Sequence, residues 1–158
     1  MKLMACAVMA MSLVAGAAHA GDWRVVGASD NAITLIDASS LRSGTYSTSA
    51  WVGFIYGSDR TNTDPDPDID FAVVRTEFIC SSGTMRMAYL YNYRADGSLV
   101  RSSEMTEGFK VPPPDSLGNS VVLAACDGEF SSDTIASTLS EMFNEESKAA
   151  ARARRGRN

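Results

Sequence analysis

Imidazole is almost missing from this chain: His19 is its only histidine. Cysteine is scarce as well, with Cys6, Cys80 and Cys126 making up the whole complement. After the first 20 residues there is no long apolar run, and no glycine-rich phosphate loop comes after a strand-like stretch. Each shortage excludes a class of chemistry, and the exclusions sharpen once the N-terminus is read.

Residues 1–20 have the layout of a secretory signal peptide. Lys2 supplies a positive start, Leu3 to Ala18 is an uncharged apolar run, and Ala18-His19-Ala20 is a small-x-small cleavage site. A membrane anchor is the alternative, but the run falls short of the roughly 20 residues a span needs. Cleavage after Ala20 is expected, so the mature chain begins at Gly21. Cys6 stands too early to be the lipid-modified first residue of a lipoprotein and leaves with the signal. So does His19, and the mature protein then has no imidazole. Ser-His-Asp and Cys-His nucleophiles are excluded, as are most transition-metal sites. Carboxylate-pair glycosidase chemistry is the scheme that composition still permits. No catalytic residue, cofactor or metal ligand is assigned, and a non-enzymatic protein is expected.

Two cysteines remain after cleavage. In an exported protein an even pair reads as one disulfide, Cys80–Cys126; two buried free thiols are the alternative. Charge is uneven. The 14 basic residues less Lys2 leave 13 against 19 acidic ones. Lys148, Arg152, Arg154, Arg155 and Arg157 crowd the last dozen positions. An acidic body without clustered cations argues against nucleic acid as a partner.

Strand-like runs succeed one another along the mature chain: Trp23–Gly27, Ile33–Asp37, Ala50–Tyr56, Phe71–Cys80, Met85–Tyr93 and a return strand that begins over Ser98 to Arg101. Turn signals separate them at Asp30-Asn31, Ser39-Ser40, the loop Thr61–Pro67, Ser81-Ser82-Gly83 and the hairpin pair Asp96-Gly97. Strict alternation would put Met85, Met87, Tyr89, Tyr91 and Tyr93 on one face. The prolines of Phe109–Pro114 rule out a central strand there. Asp115 or Ser116 can cap a helix running to Cys126, with a strand over Val121 to Ala125 as the alternative. Beyond Ser132-Asp133, apolar Ile135, Leu139, Met142 and Phe143 fall at helical spacing. The fold class is therefore α+β: an antiparallel sheet of about six strands with a C-terminal helix packed on one face and one disulfide.

Three surface features are candidates for binding. The run Asp64, Asp66, Asp68, Asp70 with Glu77 offers oxygen ligands to calcium, but the EF-hand glycine position holds Phe71 and prolines keep the run extended. An acidic solvated loop is the better reading. The tyrosine stripe 89, 91 and 93 is a binding platform or, more commonly, sheet packing. The basic C-terminus is a helix end favoured by the helix dipole or a contact for anionic surfaces.

One resemblance binds these parts together. Trp23 just after the signal, "NAITLIDASSL", the aromatic strand containing Trp51, "RTEFICSSGTMRM", a Tyr…Asp-Gly hairpin, "PPPDS" and the final Cys126 resemble the surface-adhesin protein E family of Gram-negative bacteria. The matches on the Asp37-Ser39-Ser40 neighbourhood, Cys80, Pro114-Asp115-Ser116 and Cys126 carry most of it. The resemblance implies a six-stranded sheet with its C-terminal helix tied on by a disulfide. It also implies display in the periplasm or at the cell surface and binding of host matrix or plasma proteins, with a homodimer among the assemblies allowed. This chain departs from the pattern in having no lipobox and in continuing past Cys126. The expected organisation is a signal peptide at 1–20, an adhesin E-like domain at 21–130, and a C-terminal helix with a basic, partly disordered tail at 131–158. The rival function is a periplasmic structural or accessory envelope protein whose tail docks on anionic surfaces.

Overall fold

The computed structural model describes residues 21–29, 32–56 and 69–130. Seven strands form one antiparallel sheet: β1 Trp23–Ala28, β2 Ala32–Asp37, β3 Arg42–Ser43, β4 Thr48–Tyr56, β5 Phe71–Ile79, β6 Thr84–Tyr93 and β7 Leu99–Glu104. The order is β1-β2-β4-β5-β6-β7, with the two-residue β3 pairing with β4 beside the main path. Apart from that short strand, each strand pairs with the next along the chain, which is the arrangement short hairpin connections favour. Among the described residues one α-helix, α1, spans Leu117–Asp127. The α+β sheet-and-helix expectation holds, and so does the disulfide.

Helix α1 forms where the sequence supplies both ends. Ser116 is the N-cap, its hydroxyl accepting from the Asn119 N–H at 3.2 Å. Asp115, the other candidate cap, instead takes a left-handed backbone with φ 59°. Gly128 closes the far end in the left-handed region, φ 74°, donating its N–H back to Ala124 and Leu123. The strand alternative over Val121 to Ala125 is discarded: Val121, Val122 and Ala124 are buried on the helix's inner side. They join Ile36, Ala50, Val52 and Phe78 in one core cluster. The helix comes close to the sheet at Gly27, where a Cβ would meet Leu117 Cδ2 at 2.8 Å. Cys80, just past β5, is bonded to Cys126 in the last turn of α1 with Cα atoms 5.5 Å apart.

The hairpin at Asp96-Gly97 forms as expected. Gly97 has φ 83°, its N–H donates to the Arg94 carbonyl at 2.9 Å, and the Asp96 carboxylate accepts from the Ser98 N–H at 2.8 Å. The return strand forms as expected and runs from Leu99 to Glu104. The single-face reading of Met85 to Tyr93 is corrected. Met87 pairs with Thr76 and Tyr89 with Arg75, so Ala88 is an extra residue bulged out of β6. A bulge resets the two-residue alternation. Met85 and Met87 fall on the α1 side, opposite Phe78 and Thr76, while the three tyrosines fall on the other. A second bulge, at Val26 in β1, sends that side chain to the α1 side and leaves Trp23 and Val25 on the opposite face.

Candidate binding surface

The face away from α1 is built in rows by the strand register. One row runs Ile33, Ile55, Phe71 and Tyr93; the next runs Val25, Leu35, Gly53, Val73 and Tyr91; a third holds Trp51, Arg75, Tyr89 and Glu104. The apolar side chains of the first two rows, with Trp23 and with Trp51 at the border, form a second cluster in which Trp23, Leu35, Ile55 and Phe71 are buried. The third row, together with Tyr91 from the second, forms an open row. Trp51, Arg75 and Tyr91 are half-buried, and Tyr89 is 45% exposed.

The open row is rigidly held. Trp51 lies between the part of β4 paired to β2 and the part paired to β3, and its N–H donates to the Ser40 hydroxyl at 2.9 Å. That hydroxyl in turn donates to the Asp37 carbonyl at 2.7 Å. The Asp37 side chain, nearly buried, accepts from Ser39 N–H at 3.0 Å, Ser39 Oγ at 2.6 Å and Asp22 N–H at 2.9 Å. The Asp37-Ser39-Ser40 motif is thus a brace: it fastens Asp22 just ahead of β1 and sets the strand that carries Trp51. Over the indole lies the Arg75 guanidinium, 5.4 Å from the ring centre, also donating to Ser49 Oγ at 2.7 Å. Tyr91 meets the indole edge-to-face at 5.9 Å.

On one side of this row Arg86 pairs with Glu77 at 2.8 Å and stacks over Phe109 at 4.9 Å. Within the apolar rows Tyr93 stacks on Phe71, ring centres 5.0 Å apart. Partial burial, and then the neighbouring Tyr91, push the Tyr93 phenol above its ordinary pKa of 10.0. Trp, Tyr and Arg are the residue types that concentrate binding energy at protein interfaces, because they bring large area at low entropic cost. A sheet presents them without the ordering cost a loop would carry.

Of the calcium candidates, Asp64, Asp66 and Asp68 lie outside the described residues. Asp70 accepts from the Ala95 N–H at 2.6 Å and Glu77 is engaged by Arg86, so both have structural duties. The tyrosine stripe forms as expected, but as part of a larger surface. Sequence alone does not single out Arg75 or assign a role to Trp51, since an arginine in the middle of an apolar strand gives no signal until register places it over an indole. The signal peptide, Cys6 and His19, the Thr61–Pro67 loop, the Asp30-Asn31 turn and the segment 131–158 with its basic tail also lie outside the described residues.

Among known proteins, the sequence model of the family described as Surface-adhesin protein E matches residues 23–127, well over half of the chain. No curated protein matches the chain, and no solved structure does.

Proposed function

The chain belongs to the surface-adhesin protein E family, and from that premise we propose that it is an exported, non-enzymatic binding protein whose partner docks on the open row of Trp51, Arg75, Tyr89 and Tyr91. The observation that carries this reading is the unequal treatment of the two sheet faces. One is sealed by α1 and a disulfide, while the other keeps an indole, a guanidinium and two phenols partly in solvent on rigid strands. The partner class is a folded protein of the host matrix or plasma, recognised through aromatic contact and hydrogen bonds to Arg75 and the tyrosine hydroxyls.

The export part of the proposal places the cut after Ala20, and N-terminal sequencing of the mature protein should begin at Gly21. Protease shaving of intact cells tests display: the domain should be lost from shaved cells, whereas a strictly periplasmic product would survive. The binding part is tested with Tyr89→Ala and Arg75→Ala in the mature protein against immobilised matrix and plasma proteins. Truncating an anchor of this kind costs about 2 kcal/mol or more at a real interface, roughly thirty-fold in Kd. Tyr89→Ala should at the same time leave unfolding within about 0.5 kcal/mol of wild type, as an exposed side chain does. Unchanged affinity in both variants would move the site elsewhere.

A further inference from the structure

We propose that β7 is a docking edge: a partner protein adds one extended segment antiparallel to it, with a lysine or arginine opposite Glu104 and a large apolar residue opposite Ser102. This rests on the open-row reading for where the partner sits, and adds how its backbone is held. The two edges of the sheet differ. β1 exposes only Ala28, carries its bulge in mid-strand and has Arg24 tied to Asp22 and lying over Phe130. β7 is exposed at every residue except Val100. Its irregularity falls at Val100, which leaves Arg101 to Glu104 in regular register with Asn92 to Tyr89. Neither lysine nor proline, the residues that commonly blunt an edge, stands in it.

The ladder decides which backbone groups the edge presents. The Met105 N–H donates to the Ala88 carbonyl at 2.9 Å. Glu104 and Tyr89 are therefore a pair without mutual hydrogen bonds, and Ser103 and Leu90 a pair with both. Alternation turns the N–H and C=O of Ser102 and Glu104 away from β6. Both residues are exposed, and among the described residues nothing bonds these outward groups. They are two donors and two acceptors at the spacing an added strand meets.

The side chains select the segment. Glu104 pairs with Tyr89 and Ser102 with Tyr91, so both lie on the open face. An added strand extends the row of Trp51, Arg75, Tyr89 and Glu104 by one position. The residue opposite Glu104 stands beside an exposed carboxylate that has no ion pair among the described residues, and a cation suits it. Two residues further along, opposite Ser102, the short side chain leaves the flank of half-buried Tyr91 open to a large apolar group. The recognised pattern is cation-x-apolar in extended form. A second copy does not supply it through its own β7. Only outward residues face each other across such a pairing, so Glu104 would meet Ser102 or another Glu104, never Arg101. Within 57–68 and 131–158 no lysine or arginine is followed two residues later by an apolar side chain larger than alanine.

The test uses the whole mature chain and a capped synthetic peptide, Thr-Thr-Thr-Lys-Thr-Phe-Thr-Thr-Thr. In the free protein the amides of Ser102 and Glu104 should exchange quickly, and the peptide at millimolar concentration should protect both. Methylating the backbone nitrogens of the peptide's Lys and Phe should weaken binding about tenfold or more, because those N–H groups face β7. Methylating the Thr between them, whose N–H points away, should not. Glu104→Lys should weaken the peptide about fivefold, and exchanging the peptide's Lys for Glu should restore the loss. Ser102→Pro, which removes an outward donor and no bond to β6, should abolish binding while circular dichroism is unchanged. The proposal is overturned if the peptide fails to bind, or binds equally well whichever nitrogen is methylated. It is also overturned if the two amides are already protected in the free monomer, where the chain's own segment would occupy the edge, or become protected only on dimerisation. Those results leave the open row standing. Peptide binding that survives while Tyr89→Ala and Arg75→Ala leave the affinity for matrix and plasma proteins unchanged strikes the open row and keeps the edge.

Discussion

The two faces of the sheet are finished in different ways. On the α1 side the core over β1 to β5 is locked: a capped helix, a covalent tie at its last turn, and a close helix–sheet approach at Gly27 that leaves no space for a side chain. On the other side the apolar rows give way to Trp51, Arg75, Tyr89 and Tyr91, held by hydrogen bonds and ring contacts and left partly wet. Stability concentrated on one face frees the other to carry side chains suited to contact with something else. A domain of this size has about 5–15 kcal/mol to hold it together, so the division has measurable consequences.

The comparison breaks most easily at Phe78, which is fully buried against α1. Phe78→Ala should destabilise the domain by about 3–5 kcal/mol in urea unfolding, because it removes the side chain and leaves a cavity the tied helix cannot close over. If instead it costs no more than Tyr89→Ala, the stability is not concentrated on the α1 face. The disulfide comes next. It closes a separation of 46 residues, for which loop-closure entropy gives about 4 kcal/mol at most and roughly 2–4 in practice. Cys80→Ala/Cys126→Ala should lower the melting temperature clearly while circular dichroism keeps its β-type form. Two alkylatable thiols in freshly isolated native protein would refute the bond itself.

A smaller effect sharpens the same contrast. The Ser116 hydroxyl satisfies one N–H of the first turn of α1. Ser116→Ala should cost about 1 kcal/mol, the usual worth of such a cap. The loss should appear as faster amide exchange in residues 117–120 and leave the open row untouched. Fluorescence quenching of Trp51, unchanged between wild type and the variant, would check that independence.

Most of this architecture was legible in the sequence, for local reasons. Alternation marked the strands, Asp96-Gly97 marked a turn that needs a left-handed glycine, Asp115-Ser116 marked the helix start, and Cys80 and Cys126, the two cysteines beyond the signal-like segment, suggested a single bond. The binding surface was legible only in part, because it depends on register. A single bulged residue, Ala88, decides that Met85 faces the helix while Tyr89, Tyr91 and Tyr93 face away. Nothing local distinguishes that alanine from its neighbours; the extra residue is defined by the pairing with β5. The same holds for Arg75, whose place over Trp51 comes from the β4–β5 pairing. The Asp37-Ser39-Ser40 motif gives the reverse case: it was visible as a family match before its bracing role could be known.

The faintest expected effect is also the most local probe of the boundary between the buried and open parts of that second face. Tyr93 sits on this boundary, stacked on buried Phe71 and next in line to half-buried Tyr91. Its phenol is held neutral above the ordinary 10.0, first by burial and then by Tyr91. Here the neutral form is the one the fold favours. A folded pKa above the unfolded one means that the contribution is complete below about pH 10 and is lost as pH rises through the folded value. Wild type should therefore lose stability in the alkaline range relative to Tyr93→Phe, which has no proton to release, and the two unfolding curves should converge in their pH dependence below about pH 10. Ultraviolet titration should show one late-ionising tyrosine that disappears in the variant. If Tyr93 ionises no later than in the unfolded chain, the buried region ends before it, and the open row extends to one more tyrosine.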